Sequence, residues 1–70
     1  MVNIEKLQEV IENSGMTMVA VSRKSGITRE TLYNRMNGVG DFTAREILGL
    51  VQALKLNKTE RDQIFFKSKV

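Results

Sequence analysis

The sequence predicts an all-α domain of five short helices, and three observations support this class. Apolar residues recur at helical spacing in several segments. Each segment follows a side chain that commonly caps the N-terminus of a helix. No run alternates β-branched and polar residues as a half-buried strand does. Because the chain has 70 residues and 41% of them are hydrophobic, we expect one small core and a single domain over residues 1–70.

The first two helices are predicted from their caps and their glycine stops. Asn3 is a good N-cap residue, and Gly15 suits the left-handed position that follows the last helical residue. The apolar face of helix 1 consists of Ile4, Leu7, Val10 and Ile11. Thr17 caps helix 2, which covers Met18–Ser25 and stops at Gly26.

Helix 3 extends from residue 29 to about residue 37, between the cap Thr28 and a stop at Gly38. The pair Asn37-Gly38 also occurs in hairpin turns, but its place at the end of a helical pattern favours a C-cap. Helices 2 and 3 are therefore joined by a short turn that contains Gly26.

The fourth helix has the clearest start, because Thr43 and Glu46 form the pattern of a capping box. Its buried stripe is predicted to consist of Ala44, Ile47, Leu48, Val51 and Leu54. Asn57 with Glu60 repeats the box pattern before a shorter helix 5. That helix contains Ile64, Phe65 and Phe66, and residues 67–70 are expected to fray.

The composition excludes several classes of site. Without cysteine or histidine, the chain forms neither a disulfide nor a thiolate metal site, and Ser-His and Cys-His catalysis are excluded. Carboxylates such as those of Glu60 and Asp62 lie two residues apart on a helix and do not face each other, so an enzyme is not expected. We predict no metal, no cofactor and no small-molecule substrate.

The charge is concentrated in the middle of the chain. Residues 15–40 contain four basic side chains and one acidic one, whereas residues 1–14 contain one basic and three acidic ones. A basic segment is typical of nucleic-acid binding, although a solvated face has the same composition. The N-terminus lacks a signal peptide, and no apolar run approaches the ~20 residues that span a bilayer. We therefore predict a cytoplasmic protein without a membrane partner.

Helices 2 and 3 have the spacing of a DNA-binding helix-turn-helix. Gly26 can adopt the positive φ that the turn needs, and Ile27 is expected to fill the corner. Ser22 is small enough for helix 3 to cross close over helix 2, while Leu32 and Met36 are expected to hold helix 3 on the core.

Residues 17–38, TMVAVSRKSGITRETLYNRMNG, resemble the Cro/CI-type (XRE-like) helix-turn-helix of phage repressors. The likeness continues over residues 42–56, and ERDQIFF at 60–66 is similar to small Cro-like proteins of phages from Gram-positive bacteria. The resemblance implies a five-helix domain that binds operator DNA, usually as a symmetric dimer. Three residues depart from the family: Met18 replaces a common Gln, Ser22 a common Ala, and Lys55 the Gly that follows helix 4. At Met18 the brace that Gln provides is either missing or replaced by an apolar contact. Lys55 either adopts a left-handed conformation at an energetic cost or ends the helix differently.

The resemblance implies that the first exposed residues of helix 3 face base edges. Arg29 suits the O6 and N7 atoms of guanine, and Asn34 suits the N6 and N7 atoms of adenine. Glu30 suits the N4 amine of cytosine, and Thr31 a thymine methyl or a phosphate. In the alternative interpretation, Arg29 and Glu30 lie on the first turn of an ordinary surface helix, where Glu30 suits the helix dipole.

Phosphate contacts are expected from other residues. The Thr17 hydroxyl and the first amides of helix 2 suit a phosphate, and Tyr33 and Asn37 are placed to hold the strand beyond helix 3. Tyr33 equally fits half-buried packing, and Arg35 is either a phosphate contact or a solvated arginine. The complete set expected at DNA is Thr17, Met18, Thr28, Arg29, Glu30, Thr31, Tyr33, Asn34, Arg35 and Asn37.

Phe65 and Phe66 are adjacent, so one is expected to face the core and the other an interface between two copies of the chain. Alternatively, both cover the edge of one core. The sequence thus favours a phage or prophage repressor that inserts helix 3 into the major groove of operator DNA as a homodimer. The alternatives are an antitoxin-like helix-turn-helix module that binds protein, and the DNA-binding domain of a longer repressor.

Overall fold

The structure, a computed structural model, describes residues 2–66. Within this range the chain forms five α-helices and no strand. The helices are α1 (Ile4–Ser14), α2 (Met18–Ser25), α3 (Arg29–Met36), α4 (Ala44–Leu54) and α5 (Lys58–Phe65). This confirms the predicted all-α, five-helix architecture. The fraying expected for residues 67–70 lies outside the described residues.

Each helix begins at the cap that the sequence predicts. In all five, the N-cap side chain accepts a hydrogen bond from the backbone N–H three residues later, which stabilises a helix by about 1 kcal/mol. The five pairs are Asn3–Lys6, Thr17–Ala20, Thr28–Thr31, Thr43–Glu46 and Asn57–Glu60. The capping boxes at α4 and α5 are both complete. The helix starts are therefore determined by local sequence.

Two helix ends show the same backbone conformation with different residues. Gly26 ends α2 at a φ of 79°, and Lys55 ends α4 at a φ of 54°. Lys55 is the one residue other than glycine with a positive φ among those that the structure describes. A side chain in this region raises the energy by roughly 1–2 kcal/mol relative to a right-handed conformation. Of the two alternatives expected for Lys55, the left-handed conformation is the one that the structure shows.

The core lies between α1, α4 and α5 on one side and the helix-turn-helix on the other. Its buried members are Leu7, Ile11, Val21, Ile27, Leu32, Leu50, Leu56, Ile64 and Phe65. The backbone N–H of Asn3 donates to the carbonyl oxygen of Ile64 at 2.7 Å, which ties the start of α1 to α5. Helix α2 packs closely on α4, because a methyl group built on Gly49 would overlap the carbonyl oxygen of Ser25.

The predicted buried stripe of α4 is correct for three of its five members, which pack against the core, and wrong for Ala44 and Leu48. Leu50 and Ala53 are the buried residues of this helix, whereas Leu48 is 58% exposed and Ala44 is also exposed. The other predicted members, Ile47, Val51 and Leu54, are half-buried. The reason is the close approach at Gly49, because a helix that meets α2 through its glycine turns the neighbouring Leu50 and Ala53 into the core.

The two adjacent phenylalanines have separate environments. Phe65 is 5% exposed and packs edge-to-face on Phe42, with ring centroids 5.5 Å apart. Phe66 is 53% exposed. The expectation that one ring faces the core is met by Phe65, which is therefore removed from the candidate interface between copies. No helix within residues 2–66 combines the length and apolar character needed to cross a membrane.

Candidate nucleic-acid interface

Helix α3 has one buried face and one polar face. Leu32 is fully buried and Met36 packs against the core, which holds this short helix down. Arg29, Glu30 and Asn34 are exposed, and Thr31 is half-buried at the edge of the same face. The four residues predicted to face base edges thus lie on one short helix, where three are exposed to solvent and the fourth is partly so.

The turn before α3 is held by hydrogen bonds that sequence reasoning missed. The Ser22 hydroxyl donates to the carbonyl oxygen of Ile27, and the backbone N–H of Gly26 donates to the carbonyl oxygen of Ser22 at 3.0 Å. Ile27 is buried beneath the turn, as predicted. The prediction from sequence used only the small size of Ser22. A serine hydroxyl beside a tight turn can also donate to a backbone carbonyl that has no partner in a helix, and this was the signal for the bond to Ile27.

Thr17 and Thr28 lie exposed at the starts of α2 and α3. Each hydroxyl oxygen accepts a backbone N–H, from Ala20 at 3.1 Å and from Thr31 at 3.2 Å. A hydroxyl that accepts one hydrogen bond still has its own O–H to donate. Both threonines can therefore cap their helix and donate to a phosphate oxygen at the same time.

Met18, Tyr33 and Asn37 line one open groove between α1, α2 and α3. Met18, which replaces the family's common Gln, packs against the core. Tyr33 lines this groove and is 48% exposed to solvent. Asn37 is exposed at the C-cap of α3.

The expected exposure of Arg35 is wrong, because α4 supplies a partner for its guanidinium. The Arg35 side chain is 23% exposed. Its Nε and Nη2 atoms donate to the Glu46 carboxylate at 3.1 and 3.4 Å, and its Nη1 donates to the carbonyl oxygen of Val39 at 3.3 Å. Burial by itself raises the pKa of Glu46, but the backbone N–H of Thr43 and the Arg35 guanidinium together lower it below its ordinary value.

A family profile described as helix-turn-helix matches residues 7–60, which is more than half of the chain. The chain belongs to the helix-turn-helix family. The match confirms the resemblance to the Cro/CI-type (XRE-like) group and identifies a DNA-binding regulator. No curated protein and no solved structure gives a significant match to the chain.

In this helix-turn-helix protein, α4 adds a basic residue that sequence reasoning missed. Arg45 is exposed and lines a second groove with Thr28, Thr31 and Thr43, between α3 and the start of α4. No local pattern marks Arg45, because it meets α3 only through the packing of α4. Since Glu46 pairs with Arg35, Arg29 and Arg45 are two exposed basic side chains that remain on α3 and at the start of α4.

Proposed function

We propose that this helix-turn-helix protein is a sequence-specific regulator of transcription that inserts α3 into the major groove of operator DNA. The observation that carries the proposal is the polar, exposed face of α3 opposite the fully buried Leu32. A rigid helix with hydrogen-bonding side chains on one open face matches the width of the major groove.

Four residues of that face are assigned to base edges. Arg29 binds guanine through O6 and N7, and Asn34 binds adenine through N6 and N7. Glu30 accepts from the N4 amine of cytosine. Thr31, which is half-buried, contacts a thymine methyl at the edge of the site.

The remaining contacts are assigned to the DNA backbone. The hydroxyls of Thr17 and Thr28 donate to phosphates from the starts of α2 and α3, where the helix dipole also favours an anion. Tyr33 and Asn37 hold the strand beyond α3, and Met18 gives an apolar contact to a sugar. These residues orient the protein on the duplex and carry no sequence information of their own.

We further propose that the protein acts as a Cro-like repressor of a phage or prophage, in the host cytoplasm, by occupying an operator that polymerase needs. Two copies are proposed to bind a symmetric site. Support comes from an apolar patch on α4 and α5, defined by Ala44, Ile47, Leu48, Val51 and Phe66. The Arg61–Asp62 pair, with an N–O distance of 3.0 Å, lies beside the patch. A two-fold dimer buries the same patch of both copies against each other.

The experiment that tests the proposal is selection of bound duplexes from a random DNA pool with the full chain. We expect a palindrome whose half-sites lie about 10 base pairs apart, and an affinity that falls steeply with salt. A pool that shows no enrichment, or an affinity that does not respond to salt, would contradict DNA binding. Enrichment of a single half-site would support DNA recognition and contradict the proposal that two copies bind a symmetric site.

A further inference from the structure

The Arg35–Glu46 pair joins the recognition helix to α4, and we infer that its two members are positioning residues for DNA recognition. In this role Arg35 contacts no phosphate. It holds α3 and the segment 37–43 at the angle at which Arg29 and Asn34 reach base edges. The inference rests on the proposed DNA-binding function and adds to it the device that orients the reading helix.

The pair is a bidentate ion pair between the guanidinium and the carboxylate. The planar guanidinium of Arg35 engages both oxygens of the Glu46 carboxylate, through Nε at 3.1 Å and Nη2 at 3.4 Å. Its third nitrogen donates to the carbonyl oxygen of Val39 at 3.3 Å. The segment after α3 closes over the same group, because a methyl group built on Gly40 would collide with Nη1 of Arg35. Each of the three nitrogens of Arg35 therefore donates a hydrogen bond within the protein.

Glu46 is itself fixed to the scaffold. Its Oε1 atom also accepts the backbone N–H of Thr43 at 3.0 Å, in the capping box of α4. Helix α4 in turn is seated on α2 through the close approach of Gly49 to Ser25. A continuous set of contacts thus connects α3 to α4 and α4 to α2. The two helices of the helix-turn-helix are braced at the turn by Ser22 and at the far end by Arg35.

The same contacts oppose a phosphate role for Arg35. A phosphate that drew the guanidinium toward DNA would pull it away from Glu46, whose side chain is 16% exposed. The abandoned carboxylate would then lie partly buried, without its partner, and near the phosphates. Arg35 would gain little free energy by exchanging the Glu46 carboxylate for a phosphate. The exchange would also remove the contact that orients α3.

The test uses the full chain with two duplexes of equal length, one selected by this protein from a random pool and one of random sequence. Binding is measured between about 50 and 200 mM salt, at a temperature where circular dichroism shows each variant to be folded. The variants are Arg35→Gln, Arg35→Lys, Glu46→Gln and the Arg35→Gln/Glu46→Gln double variant. Glu46→Gln keeps the capping box, because glutamine also serves there, and removes only the charge that faces Arg35.

The matched control is Glu60→Gln. Glu60 occupies the same box position in α5, where its Oε1 accepts the backbone N–H of Asn57 at 3.1 Å. We expect Glu60→Gln to bind both duplexes as the unmodified protein does. In contrast, Arg35→Gln, Arg35→Lys and Glu46→Gln are each expected to weaken binding to the selected duplex about tenfold. Lysine does not restore binding because it cannot bridge both carboxylate oxygens.

Two further readouts separate positioning from phosphate contact. The double variant is expected to bind no more weakly than either single variant, because all remove one interaction, and the salt slope is expected to stay unchanged. A phosphate contact would lower the slope in Arg35→Gln by about 0.9. With a phosphate contact, DNA binding would also be retained in Arg35→Lys, and it would become tighter in Glu46→Gln. Any of these three results, or unaltered binding in the variants, overturns the inference.

A measurement without DNA keeps this inference distinct from the proposed function. In two-dimensional ¹H–¹⁵N spectra, Glu46→Gln is expected to shift the amide signals of residues 29–37, and Glu60→Gln is expected to leave them in place. Unmoved signals in Glu46→Gln would refute positioning, whatever the DNA result. If selection with the unmodified protein enriched no duplex, the proposed function would fail while the spectra would still decide whether the pair orients α3.

Discussion

The Ser22 hydroxyl donates a hydrogen bond to the carbonyl oxygen of Ile27 across the turn between α2 and α3. The bond closes the corner of the helix-turn-helix over the buried Ile27 side chain. A backbone carbonyl in such a corner cannot bond within a helix, so it needs a side chain or water. Ser22 therefore contributes a hydrogen bond as well as its small volume.

Ser22→Ala is expected to lower the free energy of unfolding by about 1–2 kcal/mol, because the Ile27 carbonyl loses its partner inside a partly buried turn. Urea unfolding followed by circular dichroism measures this loss. Ser14→Ala is the matched control, since the Ser14 hydroxyl also donates to a carbonyl, that of Ile11 at 2.6 Å, but lies on an exposed residue. Equal losses in the two variants would contradict a special role for the corner bond.

How much of the fold the sequence predicts depends on the range of the interactions involved. The caps at Asn3, Thr17 and Thr43 were predictable, because each is decided by residues within one helical turn. The exposure of Leu48 was not, because the rotation of α4 depends on where Gly49 meets Ser25. Local patterns therefore predicted the helices and their order, and packing decided which face each helix buries.

The same distinction applies to the candidate site. The exposure of Glu30 and Asn34 follows from Leu32, since both lie on the opposite side of one short helix. Arg29 lies three residues before Leu32 and is exposed at the first position of α3. The pairing of Arg35 with Glu46 joins residues on different helices, and neither carries a local signal for the other. A side chain predicted to reach DNA proved to be occupied within the protein for this reason.

Leu50 and Leu48 are predicted to differ strongly in their contribution to stability, although they are two residues apart on α4. Leu50→Ala is expected to lower the free energy of unfolding by about 2–5 kcal/mol, because Leu50 is fully buried. Leu48→Ala is expected to stay within about 0.5 kcal/mol of the unmodified chain. Urea unfolding at low protein concentration measures both. A larger loss for Leu48→Ala would restore the stripe predicted from sequence.

The lowered pKa of Glu46 predicts a dependence of stability on acid. The unfolded chain takes up a proton near the ordinary value of 4.5, whereas the folded chain holds Glu46 ionised to lower pH. The stabilisation is therefore fully present above that value and is lost as the pH falls through the lower, folded pKa. Urea unfolding from about pH 5 to about pH 3 is expected to show a smaller loss of stability in Glu46→Gln. If the free energy of unfolding fell equally with pH in the two proteins, Glu46 would make no contribution to the acid dependence.

Arg29→Ala is predicted to weaken binding to the selected duplex by about 1–3 kcal/mol and to relax the preference at one base pair. The reason is the loss of two hydrogen bonds to one guanine. Repeating the selection with the variant measures the preference directly. Arg23→Ala serves as a control, because Arg23 is exposed near the end of α2 and outside the proposed base-reading set. Uniform weakening on every sequence would make Arg29 a phosphate contact.

Phe66→Glu is predicted to shift the protein toward monomer in sedimentation velocity while circular dichroism keeps the helical signal. Phe66 and Leu48 are both more than half exposed on one apolar patch, so a charge there meets solvent in the monomer and an apolar surface in the dimer. Leu48→Glu is expected to behave alike.

Val39→Glu is the matched control for the dimer, because Val39 is 58% exposed and lies outside the patch, between α3 and α4. It is expected to leave the sedimentation coefficient unchanged. Phe65→Glu, by contrast, is expected to unfold the chain, since it places a charge beside Phe42 in the core. If Phe66→Glu and Val39→Glu sedimented alike, the two-fold contact would have to involve another surface, and the palindrome expected from selection would need a different dimer.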